Sequence, residues 1–235
     1  MILSDRLESI IELVPKGLVC ADIGCDHGFV SIELVSRNIS PRVIGMDLRE
    51  GPLERARENV LDAGLQDRIQ LRLSNGFEKL SPGEVGTAVI AGMGGMLMTD
   101  IIENGMPVVK QLEEFVVQPQ SNIPEFRNHL RRSGFEIIRN NVVYDAGKYY
   151  FPMKIRYTGI CSDAEDNGIT AEDRYGADLI SENRGLSEYL EYEMSSFEKI
   201  LERLRSEKGD HEDRICEMQM LMELNRSIYK GFVKD

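Results

Sequence analysis

The sequence predicts an α/β protein with a seven-stranded, mostly parallel sheet, followed by a C-terminal antiparallel helical hairpin. Three observations carry this reading. Over residues 1–159, strand-like apolar runs alternate with helical periodicity in a βα rhythm, the pattern of a parallel sheet covered on both faces. Near Gly159 the strand formers thin out and Glu and Leu dominate. Beyond Gly185 the apolar positions step by four and three residues, a helical seam. The expected domains are therefore 1–159 and 160–235.

Element by element, Ser4 can cap a first helix with the stripe Leu7, Ile10, Ile11 and Val14, ended by Pro15 and Gly17. A buried strand, Leu18 to Ile23, leads through a glycine-containing turn into a helix from about Val30 to Arg37. Pro41 precedes a second strand, Val43 to Asp47, and Pro52 marks the first turn of a helix that Gly64 ends. Further strands are predicted at Ile69 to Leu73, Thr87 to Ala91 and Phe115 to Gln118. Phe135–Val143 and Lys148–Tyr157, separated by Asp145-Ala146-Gly147, read as an edge hairpin. In the C-terminal part, Thr170 with Asp173 forms a capping pair for a helix reaching about Asn183. The seam Leu190, Met194, Phe197, Leu201, Leu204 resumes with Ile215, Met218 and Met222 after a polar break at Gly209-Asp210. One uninterrupted helix would place Lys208 and His211 on the seam, so two antiparallel helices explain the pattern better.

Composition bounds the function. Hydrophobic residues at 42% and charged residues at 29% describe an ordinary globular chain of 235 residues, not a disordered or fibrous one. No apolar run approaches the ~18 residues of a membrane span, and Met1 to Arg6 lacks the pattern of a secretion signal. Cys20, Cys25, Cys161 and Cys216 are too scattered for a zinc knuckle or disulfide framework, so the expected setting is the cytoplasm and no metal is expected. The net charge of −12 argues against a nucleic-acid partner by itself. It is uneven, however: residues 1–159 carry 18 basic and 21 acidic side chains, and residues 160–235 carry 10 and 19. A local basic face remains open to the first part. Arg127 and Arg131, one helical turn apart, with Arg132 and Arg139 near, are the best candidates for phosphate contacts; a solvated helix surface is the plainer reading.

The chemistry-bearing motif is Ala21-Asp22-Ile23-Gly24-Cys25-Asp26-His27-Gly28, placed between a strand and a helix. Its spacing lacks the glycines that cradle a pyrophosphate. It suits S-adenosylmethionine, whose amino-acid end is zwitterionic, and Asp22 or Asp26 could receive the ammonium group. A strand-to-helix turn with a capping Asp is the alternative. Asp47 ends the second strand, where an acid can hold both ribose hydroxyls. Asn75-Gly76 follows the third strand, where an amide can read an adenine edge, and Gly92 opens the Gly92-Met93-Gly94-Gly95 loop, an expected floor for a flat substrate. Four such turns in register describe a class I (Rossmann-like) methyltransferase.

The runs Leu3-Ser4-Asp5-Arg6-Leu7, Asp22-Ile23-Gly24-Cys25-Asp26-His27-Gly28, Gly92-Met93-Gly94-Gly95 and Gln118-Pro119-Gln120-Ser121-Asn122 together resemble the TrmK family, bacterial tRNA (adenine(22)-N(1))-methyltransferases. The resemblance implies S-adenosyl-L-methionine as cofactor, tRNA as partner, and contacts to substrate by Gln118, Pro119 and Asn122. It carries Arg6 over as a phosphate or cofactor-carboxylate contact. Adenine N1 has its own lone pair and needs no nucleophilic activation. Asp26 is then the candidate carboxylate beside the cationic product ring, with the cofactor ammonium as its alternative partner; His27 is expected to line the cofactor site. The absence of an Asn-Pro-Pro-Tyr type box and of a Pro-Cys pair after the fourth strand disfavours N6 and pyrimidine C5 chemistry. The expected oligomeric state is a monomer or weak dimer.

Overall fold

The computed structural model describes residues 3–161, 168–207 and 209–232. It divides into two compact units, Met1–Arg174 and Tyr175–Asp235.

The first unit is built on β1 (Cys20–Ile23), β2 (Val43–Asp47), β3 (Ile69–Leu73), β4 (Thr87–Met93), β5 (Phe115–Pro119), β6 (Phe135–Asn140) and β9 (Met153–Tyr157). They form one sheet in the order β3-β2-β1-β4-β5-β9-β6. The first five are parallel, and β9 enters antiparallel between β5 and β6. The central strands are buried on both faces, as a parallel sheet requires. Alternate residues feed opposite layers. Ala21, Ile23, Ile44, Met46, Ile90 and Val117 pack with Met98 and Ile102 of α4 (Gly95–Asn104), Val108 and Val109 of α5 (Met106–Val109), and Phe126 and Leu130 of α6 (Ile123–Arg132). On the other side Cys20, Val43, Val89 and Val116 pack with Ile10 and Ile11 of α1 (Asp5–Ile11), Leu34 and Val35 of α2 (Phe29–Ser36), and Val60 of α3 (Glu50–Asp62). Ser4 caps α1, accepting from the Leu7 N–H. Strand order reverses between β1 and β4, so their carboxyl ends open a crevice there.

The edge hairpin is more divided than its two sequence runs. Its inner halves are β6 and β9, while β7 (Val143–Asp145) and β8 (Lys148–Tyr150) form a separate two-stranded ribbon. Pro152 interrupts the return run, because it has no N–H for a ladder. The ribbon closes through Ala146 and Gly147, both at positive φ, the geometry of a two-residue hairpin loop.

The unit boundary falls later than Gly159, and the reason is a polar clasp. Arg127 is 1% exposed. It donates to the Arg174 carbonyl at 2.8 Å and to Asn140 Oδ1 at 3.1 Å, with its guanidinium over the Phe151 ring. Asp173, in α7 (Ala171–Tyr175), accepts from Arg131 at 2.9 Å and from Asn128 at 3.1 Å. Asp173 and Thr170 also exchange the two hydrogen bonds of a capping box, each 3.0 Å. The segment leading to the helices therefore belongs to the first unit. Arg127 is not a phosphate contact, since its donors serve the interior, and Arg131 is directed to Asp173.

The helix expected to run to Asn183 is broken at Gly176, at φ +90°, so that α7 ends there and α8 (Ala177–Glu182) begins within the second unit. α9 (Leu186–Ser206) and α10 (Glu212–Lys230) then pair. Phe197, Leu201, Met218 and Met222 fill the seam, flanked by Met194, Leu204 and Ile215. Asp210 accepts from the Glu212 N–H at the start of α10, and His211 occupies the N-cap. Lys208 lies outside the described residues.

Candidate active site

The turn after β1 is shaped by close approach. Gly24 stands at φ +73°, and a Cβ there would lie 2.2 Å from Met93 Cε. Its N–H and that of Cys25 both donate to the Met46 carbonyl, at 2.7 and 2.9 Å. Asp26 follows at φ +47°, an unusual conformation for a residue with a side chain. That twist points its N–H at Asp47 Oδ2, 3.4 Å away. Asp47 is 7% exposed, and its other oxygen accepts from the Arg49 N–H at 2.9 Å. The second-strand carboxylate is thus held by two backbone donors at the end of β2.

The three acids differ in environment. Asp22 is buried beneath the turn, and burial pushes its carboxyl up to about 6, although Ser31, donating at 2.6 Å, opposes the rise. The Asp26 side chain is 58% exposed and lies 3.6 Å from His27 Nε2. His27 stacks on Phe29, with ring centroids 5.5 Å apart.

Across the crevice, Gly92 at φ +79° is open. A Cβ there would stand 3.7 Å from Arg6 Nη1 and 3.8 Å from Gln120 Nε2. Arg6 reaches over from α1, donates to Gln118 Oε1 at 2.8 Å and lies over the Tyr150 ring at 5.5 Å. Its N–H donates to Asp145 Oδ2, tying α1 to the ribbon. Gly94 and Gly95 do not extend the open floor: a Cβ on Gly95 would meet the Ser121 carbonyl at 2.8 Å, so these glycines admit the loop after β5.

Arg6, Asp22, Gly24, Asp26, His27, Asp47 and Gly92 therefore line one cavity of about 340 Å³. Asn75 and Gly76 line another, of about 260 Å³, with Leu97 and Asp100. There the Asn75 amide donates to Glu78 at 2.9 Å. Gln118 and Pro119 are buried under the crevice and absent from its wall, and the Gln118 side-chain carbonyl is taken by Arg6. Asn122, at φ +52°, is the N-cap of α6 and is absent from the cavity wall. The wall also includes Gln120, Arg49, Phe29 and Met93, which sequence reasoning missed. Two of them had a readable signal: Gln120 lies just past a strand's carboxyl end, and Met93 lies in the glycine run at the end of β4. Among the described residues, no group of three or more His, Cys, Asp or Glu could hold a metal ion, and no helix is long and apolar enough to cross a membrane.

Comparison with known proteins places this geometry. Residues 3–153 match the methyltransferase domain family. The tRNA (adenine(22)-N(1))-methyltransferase of Bacillus subtilis is 32% identical over 148 residues, 63% of this chain and 62% of that protein. The chain thus aligns with less than two thirds of that relative's length. The crystal structure of the B. subtilis m1A22 tRNA methyltransferase TrmK superposes with a TM-score of 0.80 at 26% identity, covering 97% of this chain and 99% of that one. Streptococcus pneumoniae Sp1610 in complex with S-adenosyl-L-methionine gives a TM-score of 0.83 at 27% identity, covering 97% and 100%. The matched domain, the strand order and the crevice at its switch point agree with these likenesses, and the chain belongs to the TrmK family of methyltransferase-domain proteins.

Proposed function

We propose that this protein transfers a methyl group from S-adenosyl-L-methionine to N1 of an adenine in tRNA, at position 22. The observation that carries the reading is the meeting of Asp22, Asp26, Asp47 and Gly92 in one crevice at the switch point of the sheet. The residues fit the cofactor: a cavity of about 340 Å³ has the size of a small-ligand site, and Asp47 is buried with both oxygens oriented by backbone donors. Asp47 would hold the ribose hydroxyls, Asp22 or Asp26 the ammonium group, and the Gly24 turn and His27 the amino-acid end. Asn75 and Gly76, in the neighbouring cavity, are assigned to the adenine end.

When bound, the cofactor supplies an electrophilic methyl group. The chain's task is positioning, because adenine N1 already carries the attacking lone pair. The adenine must leave the RNA stack and lie on the open backbone at Gly92. Arg6, fixed by Gln118 and Tyr150, presents positive charge at the entrance for a phosphate. The solvent-facing Asp26 carboxylate faces the ring as it becomes cationic. The catalytic domain is assigned to the first unit and tRNA positioning to the α9–α10 hairpin, where Lys199 and Arg205 are exposed. The site of action is the cytoplasm.

The test is methyl transfer from labelled cofactor to unmodified tRNA, followed by nucleoside mass spectrometry. The product expected is 1-methyladenosine. Label in another nucleoside, or none in RNA, contradicts the proposal.

A further inference from the structure

Among the described residues that line the cavity, Gln120 contributes the one side-chain amide. The backbone N–H of Gln120 donates to the Met93 carbonyl at 2.8 Å, which fixes the residue beside the open backbone of Gly92. The neighbouring Gln118 amide is engaged at both ends, accepting from Arg6 at 2.8 Å and donating to the Pro119 carbonyl at 3.0 Å. The Gln120 amide has no hydrogen-bond partner among the described residues. A donor and an acceptor, side by side, therefore remain uncommitted on the crevice wall, with Nε2 3.8 Å from where a Cβ on Gly92 would stand.

We propose that Gln120 selects adenine by pairing with its N6 amino group and N7. This rests on the adenine-N1 reading. Because N1 must face the methyl group with its lone pair free, the base has to be recognised elsewhere. N6 offers a donor and N7 an acceptor on the adjoining edge, and a glutamine amide matches both at once. The other polar side chains on the wall do not. Arg6 and Arg49 have donors only, the carboxylates of Asp26 and Asp47 have acceptors only, Asp22 is buried beneath the turn with one oxygen accepting from Ser31, and the two nitrogens of His27 diverge. Guanine presents acceptors at both O6 and N7, which turns the amide carbonyl into a repulsive contact. Pyrimidines have no N7.

The experiment compares tRNA carrying adenosine or 7-deazaadenosine at the target position, which differ only at N7. The native enzyme should show kcat/KM about tenfold lower on the 7-deaza RNA, the loss of one neutral hydrogen bond. Gln120→Leu should be about 5- to 150-fold slower than native on adenosine, with no further loss on 7-deazaadenosine. Gln120→Glu, which can accept from N6 but not donate to N7, should likewise lose the preference for adenosine. Its activity supplies the ratio if the leucine variant is too slow. Cofactor affinity should stay within twofold in both. A native enzyme indifferent to N7, a leucine or glutamate variant that keeps the tenfold preference, or a parallel loss of cofactor binding would overturn the proposal. If the native enzyme forms no 1-methyladenosine on adenosine tRNA, the methyl-transfer reading itself fails, and that control shows it separately.

Discussion

The Arg6 guanidinium donates to the side-chain carbonyl of Gln118 at 2.8 Å, joining the first turn of α1 to the carboxyl end of β5 across 112 positions of chain. Gln118 is 0% exposed, and its amide direction is set by the bond to the Pro119 carbonyl. The arginine is thus oriented before any ligand arrives. Gln118→Leu removes the acceptor and should lower turnover on tRNA by roughly tenfold or more, the scale of a hydrogen bond to a charged group. Cofactor affinity should change little, and Gln118→Glu, which keeps an acceptor for Arg6, should recover much of the loss. Steady-state kinetics with calorimetry on the same variants checks this.

Asp47 offers a second test. Its oxygens are already aligned by the Asp26 and Arg49 N–H groups, so ribose binding requires little reorganisation. Asp47→Ala should weaken cofactor binding by at least about tenfold, the scale of a hydrogen bond involving a charged group. Calorimetry that finds unchanged affinity would place the ribose elsewhere.

Asp22 should make cofactor affinity depend on pH. Burial raises its carboxyl to about 6, so the folded protein binds this proton more tightly than the unfolded chain does. The resulting stabilisation is full below the ordinary value of 3.8 and is lost as pH rises through about 6. Attraction for the cationic cofactor runs the other way, because it needs the ionised form. Affinity should rise roughly tenfold between pH 5 and 7, about one unit either side of that value. Asp22→Asn should flatten the profile in calorimetric titrations across this range.

The clasp around Asp173 should be important to stability. Burial alone would raise this carboxyl, but Arg131, the Thr170 N–H and Asn128 outweigh it and hold it below its ordinary value. Its contribution is therefore present above about pH 4 and is lost as the solution is acidified through the depressed folded value. Asp173→Ala leaves Arg131 and Asn128 without this partner and should cost about 3 kcal/mol. In a chain of this length that corresponds to a melting temperature roughly 6–12 °C lower, measurable by calorimetry at neutral pH. Cofactor binding in the crevice should be preserved below the transition.

Much of the fold was legible because the parallel strands are short apolar runs that alternate with helical periodicity, and the helical seam keeps its period. Strands β2 and β3 begin and end where the residue pattern predicts. The buried role of Arg127 was not legible. Charge at helical spacing describes a face, but only tertiary packing decides that Asn140 and the Arg174 carbonyl will occupy it. The same limit applies to Gln118, whose burial follows from β5 being covered on both faces. The site acids Asp22, Asp26 and Asp47 were legible because strand ends at a switch point converge regardless of sequence detail. Asn75 and Gly76 sit one strand further out and open onto a separate wall with α4.

The proposed methylation of N1 of one adenine in tRNA has a direct chemical readout. Methylation there blocks Watson–Crick pairing, so reverse transcription of a treated tRNA transcript should stop at nucleotide 22. No stop should appear in a transcript with guanine at that position, nor with enzyme carrying Asp47→Ala at limiting cofactor. A stop at another nucleotide, or full-length copies after extensive treatment of an adenine-22 transcript, would contradict the claim.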